Sequence, residues 1–194
     1  MSKSILIVGV GGQGTLLASK VLGKALLASG RDVKVSEVHG MSQRGGSVIT
    51  YVRYGDRGEK VLSPILSEGE SDIILSFELL EAARYLPYLK KGGLIVTNSQ
   101  RIDPMPVITG AAKYPEQLDE KIKSKGAGLI SLDALALANR AGSPKAVNLV
   151  LLGVLSTRMD IPKELWRDAV KISAPQQFLQ INLAAFEKGE SCVS

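Results

Sequence analysis

One cysteine and one histidine in 194 residues leave this chain almost without soft metal ligands. Cys192 has no partner for a disulfide within the chain, which points to a reducing cytoplasm. Cys192 and His39 together can neither assemble a tetrahedral zinc site nor supply the thiolates of an iron–sulfur cluster, so no metal is expected here. Nowhere do about 18 apolar residues run together, so no membrane span is expected. The opening residues lead straight into a strand-like run and lack the apolar stretch of a signal peptide. Lys and Arg exceed Asp and Glu by only five, with no block of one sign and no basic stripe with interleaved aromatics. That excludes nucleic-acid binding as a leading function. It leaves an ordinary solvated surface, or, as the sharper reading, an anionic ligand or an acidic redox partner. Aromatics are scarce, at 5%, while glycine is frequent, at 20 residues. The pair of facts favours an α/β sheet with tight turns over a β-sandwich. There is no internal repeat and no low-complexity linker, and the length suits one domain over residues 1–194, with a helical extension from about 143.

The glycines concentrate in two loops. Ile5, Leu6, Ile7 and Val8 form a continuous apolar run, as a strand buried on both faces requires. Gly9, Gly11, Gly12, Gln13 and Gly14 follow it. Leu17, Val21, Ala25 and Ala28 then repeat at helical spacing, and Gly30 provides a stop. A second strand over 33–38 completes a β-α-β unit and opens into His39, Gly40, Met41, Ser42, Gln43, Arg44, Gly45 and Gly46. If both strands run the same way in one sheet, both loops open at its carboxyl edge, where open α/β sheets meet ligands. From Ser47 to Tyr54 strict alternation predicts a strand that departs from a plain dinucleotide-binding fold, with residues 59–62 pairing back on it as a hairpin. Further strands are expected at 72–77, 94–98 and 129–132, and helices at 78–89, 115–125 and 134–140. Ser143 with Pro144 predicts a helix start. Gly153 inside the following helix predicts close packing against another backbone. Helices from Pro162 and Pro175 complete the chain. The expected class is α/β: a Rossmann-like, mostly parallel sheet with an inserted antiparallel hairpin, helices on both faces and a helical C-terminus.

Gly9, Gly11 and Gly14 satisfy Gly-x-Gly-x-x-Gly, which lets backbone N–H groups approach a phosphate at a helix N-terminus. Glu37 stands near the end of the second strand, where a dinucleotide-binding protein places its ribose acid. A free-standing NAD(P)- or FAD-binding oxidoreductase is therefore one reading. In the second loop Arg44 suits a carboxylate or phosphate, and Gly45 with Gly46 suits an anion nest. The same loop equally suits packing against another subunit. Glu37 and His39 are candidates for assisting proton transfer on a substrate supplied by another chain. A purely structural or regulatory binding module is the third reading.

The first loop followed by Ser36, Glu37, Val38, His39, Gly40, Met41, Ser42, Gln43, Arg44, Gly45, Gly46, Ser47 and Val48 resembles the gamma-type subunit of 2-oxoacid:ferredoxin oxidoreductases, the small (beta) subunit of the indolepyruvate type above all. The likeness continues through Tyr88 to Gly93 and Ala146 to Gly153. The resemblance implies a subunit, inactive alone, of an enzyme that oxidatively decarboxylates a 2-oxoacid with coenzyme A to acyl-CoA, carbon dioxide and reduced ferredoxin. It implies indolepyruvate or another arylpyruvate as substrate. Thiamine diphosphate and iron–sulfur clusters then belong to a larger partner subunit, in a hetero-oligomer that meets ferredoxin. Gly11, Gly12, Gln13 and Gly14 match the family's first loop, and Ser42, Gln43, Arg44, Gly45 and Gly46 its second, as a docking or coenzyme A-approach element.

Overall fold

The computed structural model describes residues 2–39 and 46–193. Six strands form one sheet: β1 (Lys3–Val10), β2 (Val33–His39), β3 (Ser47–Tyr54), β4 (Ser71–Ser76), β5 (Leu89–Asn98) and β6 (Gly128–Leu132). The helices are α1 (Thr15–Ala28), α2 (Leu79–Arg84), α3 (Met105–Ile108), α4 (Leu118–Ser124), α5 (Ala134–Arg140), α6 (Val147–Ser156), α7 (Lys163–Ser173) and α8 (Leu179–Ser191). Strand order is β2-β3-β1-β4-β5-β6. β1, β4, β5 and β6 are mutually parallel, and β3 is antiparallel to both of its neighbours. The sheet is thus mixed α/β and mostly parallel, with one antiparallel hairpin, β2–β3.

The apolar run of β1 explains its central place. Ile5 and Ile7 face a core shared with α1, α6, α7 and α8, whereas Leu6 and Val8 face a second core under α2 and α4. All four are fully buried. Burial of each contributes about 1.5–3 kcal/mol, an incentive for the strand to be covered on both sides.

β3 corrects two expectations. It does not pair with residues 59–62; it lies between β1 and β2, matching β1 from Lys3↔Tyr54 to Val10↔Ser47. β2 is accordingly one strand removed from β1 rather than its parallel neighbour. The reason lies in both faces of β3. Val48, Thr50, Val52 and Tyr54 are buried on one side and Tyr51 on the other, so the strand is satisfied only inside a sheet. Residues 59–62 have no such pattern: Val61 is buried while Leu62 is 94% exposed. Instead of a ladder, the Val61 N–H donates to Asp32 Oδ2 at 2.8 Å.

The helices after residue 143 form one face of the main core. Every residue of α6 is buried. α8 crosses it at Gly153 and Gly189, where no Cβ fits between the two backbones. α7 places Trp166 in the same core, its ring centroid 6.0 Å from that of Phe186. Among the described residues no helix is long and apolar enough to cross a membrane.

Candidate functional site

The carboxyl ends of β1, β4, β5 and β6 and the start of β3 share one rim. Its centre is the first loop, held by Gln13. The Val10 N–H donates to Gln13 Oε1 at 2.7 Å, and Gln13 Nε2 donates to the Phe77 carbonyl at 3.0 Å. One amide therefore staples the end of β1 to the end of β4. Gly9 makes room for it, since a Cβ there would lie 3.0 Å from Gln13 Oε1 and from Phe77 Cβ. Gly14 adopts φ 85° at the start of α1, a conformation glycine enters at little cost. It also lies against buried Asn148, whose Nδ2 donates to the Gly14 carbonyl at 3.3 Å.

The two loops touch. The Gly11 N–H donates to the Gly46 carbonyl at 2.9 Å. Ser42, Gln43, Arg44 and Gly45 lie outside the described residues, as does Met41. Directly after them, Ser47 Oγ donates to the Glu81 carboxylate and stands 3.1 Å from the Tyr85 hydroxyl. Burial pushes the Glu81 carboxyl above the usual range, against the lowering influence of Ser47 and Arg84.

Beside the first loop opens a cleft of about 580 Å³, walled by Gly12, Gly14, Gln100, Ile102, Leu135 and Lys145. Among the described residues Lys145 is the one charged side chain on its wall. α1 begins there without a side-chain cap and with no acidic residue in its first turn. The first-turn N–H groups of a helix have no intrahelical acceptor and carry the positive end of its dipole. Together with Lys145 they make the cleft suited to an anion.

Glu37 is not brought to this cleft, and the His39 side chain lies outside the described residues. Glu37 pairs with Thr50 of β3, which in turn pairs with Ile7 of β1. Two strand spacings, roughly 10 Å, thus separate Glu37 from the strand that leads into the first loop. The ribose-acid role needs adjacent strands, so this topology removes the ground for a dinucleotide site.

The most buried acid at the rim escaped the sequence reading. Glu78, 1% exposed, follows β4. Its Oε2 accepts from the Glu81 N–H at 2.9 Å; its Oε1 accepts from the Ile102 N–H at 3.2 Å and the Tyr114 hydroxyl at 2.5 Å. Burial and the Glu78 carboxylate together hold the Tyr114 hydroxyl well above its usual pKa. The only signal in the sequence was an acid directly after an apolar strand, where a helix cap belongs.

Residues 4–192 match the model of the pyruvate ferredoxin/flavodoxin oxidoreductase family. The indolepyruvate oxidoreductase subunit IorB of Thermococcus kodakarensis is 47% identical over 192 residues, covering 96% of this chain and 93% of the relative. The chain belongs to this family. A more distant member, the pyruvate/ketoisovalerate oxidoreductases common subunit gamma of Thermococcus litoralis, is 27% identical over 84% of this chain and 82% of its own length. Among solved structures, the 2-oxoglutarate:ferredoxin oxidoreductase of Magnetococcus marinus, with 2-oxoglutarate, coenzyme A and succinyl-CoA bound, superposes with a TM-score of 0.74 at 21% identity. That match covers 98% of this chain and 30% of the longer one. As a family member the chain is a small subunit of a 2-oxoacid:ferredoxin oxidoreductase, an oxidoreductase complex of several subunits.

Proposed function

We propose that this chain is the small subunit of an indolepyruvate, or more broadly arylpyruvate, ferredoxin oxidoreductase, and that its rim meets both the larger subunit and coenzyme A. The observation that carries the substrate class is the contrast in identity: 47% to an indolepyruvate subunit against 27% to a pyruvate/ketoisovalerate one. The enzyme would work in the cytoplasm. The reaction joins the acyl group of the 2-oxoacid to the thiol of coenzyme A, releases carbon dioxide and passes the electrons to ferredoxin.

A chain with one cysteine cannot supply an iron–sulfur cluster with its thiolates. The clusters, and thiamine diphosphate with them, are assigned to the larger subunit. There they supply the electron sink for decarboxylation and the path to ferredoxin. What this chain's residues do is bind and position. Lys145 and the open N-terminus of α1 hold phosphate oxygens of coenzyme A in the cleft, with Gln100 as a further polar partner on its wall. Arg44, on the loop joined to this rim through Gly46, contacts the larger subunit or the same ligand.

The test is anaerobic purification of the tagged chain from its native cells, followed by assay of the captured complex with indolepyruvate, coenzyme A and ferredoxin. A stoichiometric cysteine-rich subunit and turnover of arylpyruvates are expected. Arg44→Ala should weaken assembly or raise the KM for coenzyme A. Turnover of a 2-oxoacid by this chain alone would refute the reading.

A further inference from the structure

The connection from β5 to α4 is a long excursion over residues 99–117, with only the four-residue α3 inside it. Gln100 and Ile102, at its start, form part of the cleft wall. Such a segment needs anchors to hold a wall in place. Its entry is fixed by Asn98, whose Nδ2 donates to the Phe77 carbonyl at 3.3 Å and to Gln100 Oε1 at 3.2 Å. Beyond that, its two arms meet on a single oxygen. Ile102 from the outgoing arm and Tyr114 from the returning arm both donate to Glu78 Oε1, at 3.2 and 2.5 Å.

The surroundings make this contact specific. Glu78 is nearly inaccessible, and its other oxygen is taken by the Glu81 N–H at the head of α2. The carboxylate therefore cannot swing away without breaking the cap of that helix. Tyr114 is held from the other side by Arg101, whose guanidinium carbon lies 4.3 Å from the ring centroid. Arg101 Nε in turn donates to Asp103 Oδ1 at 2.6 Å. Between the two arms, residues 103–113 project outward, with Met105 and Ile108 exposed. Nothing in the proposed chemistry consumes Glu78 or Tyr114, and neither lines the cleft.

We propose that Glu78 and Tyr114 are positioning residues for coenzyme A: one carboxylate oxygen clamps both arms of the excursion and so fixes Gln100 and Ile102 in the cleft wall. The inference rests on the reading of the cleft as the coenzyme A approach. Opening the clamp leaves the chemistry of the partner subunit intact. It loosens the wall, so a ligand must first order it at a cost in affinity.

The intact complex is compared as wild type, Tyr114→Phe, Glu78→Gln and Lys145→Ala, with coenzyme A and the 2-oxoacid varied separately. Amide hydrogen exchange over residues 99–117 is followed alongside. Tyr114→Phe keeps the ring over Arg101 and removes only the donor. It should raise the KM for coenzyme A about ten-fold, the loss expected of one charge-assisted hydrogen bond. The kcat and the KM for the 2-oxoacid should stay unchanged, and exchange in the excursion should quicken. Glu78→Gln should give the same split; if it does not fold, Tyr114→Phe decides. A raised KM in Lys145→Ala with none in Tyr114→Phe overturns the clamp and leaves the cleft reading standing. An unchanged KM in both overturns the two together. A raised KM without faster exchange also overturns the clamp, because Tyr114 would then act by contact rather than through the wall.

Discussion

Replacing Gly153 by alanine sets two physical effects of opposite sign against each other. Alanine in a helix interior is favoured over glycine by about 1 kcal/mol. By propensity alone, Gly153→Ala would stabilise α6. The packing says otherwise. A Cβ at 153 would collide with the Phe186 carbonyl, and would lie 2.9 Å from the Glu190 nitrogen and 3.0 Å from the Gly189 Cα. Ordinary contact begins at 3.4 Å. All three obstacles are backbone, so no side chain can swing aside, and α8 must move away from α6. Overpacking of this kind costs about 1–3 kcal/mol, and a rigid backbone obstacle belongs at the upper end or beyond it. Separation would also loosen Val150 and Phe186, both fully buried along this crossing. The net expectation is a loss of roughly 2 kcal/mol, or about 4–8 °C in melting temperature for a chain of this size. Calorimetry of wild type and variant under one condition measures it. A variant that melts at or above the wild-type temperature would refute the close crossing of α6 and α8.

The remaining predictions concern the rim. Gln13→Ala removes the staple and leaves the Val10 N–H without its amide partner, while the Phe77 carbonyl keeps the bond from Asn98 Nδ2, at a cost of about 1–3 kcal/mol where water cannot replace the lost acceptor; urea denaturation with an unchanged slope reports the loss, and an unchanged midpoint would remove Gln13 from the architecture. Glu81 gives a pH signature. Its folded pKa is raised above the ordinary 4.5 by burial, so its stabilising share is complete below pH 4.5 and is lost as pH rises through the raised value. Glu81→Gln, which keeps an acceptor for Ser47, should flatten that part of the stability–pH curve, and a curve parallel to wild type would contradict the assignment.

Local order was readable where one short segment carries its own reason. Residues 134–140 form α5 as their pattern requires, because Asp133 caps the helix through the Ala136 N–H. The apolar run of β1 and the glycine spacing of the first loop likewise state their environment directly. Gly153 announced a close approach, since a lone glycine amid Val and Leu has little other use. The position of β3 was not readable. Its alternation describes a strand equally well beside residues 59–62 or between β1 and β2, and the choice depends on which partner can cover both of its faces. Glu78 and Tyr114 stand 36 positions apart, and no periodicity links a helix cap to a loop tyrosine. Gln13 was recognised as part of a motif, but its amide holds β4, a strand more than sixty residues further on. Glu37 would stand as a ribose acid only if β2 adjoined β1, and β3 occupies that place.

The reversed direction of β3 decides where the chain can be lengthened. β3 ends at Tyr54 on the edge where β4 begins at Ser71, so residues 55–70 never cross the sheet. They are tethered at that far edge by the Gly55 N–H to the Asp32 carbonyl at 3.0 Å and by Arg57 Nε to the Ser29 carbonyl at 3.3 Å. An eight-residue strand spans about 27 Å. A fluorophore, tag or inserted domain near exposed Leu62 would therefore ride a full strand length from the two loops. It would report on the chain without reaching either loop.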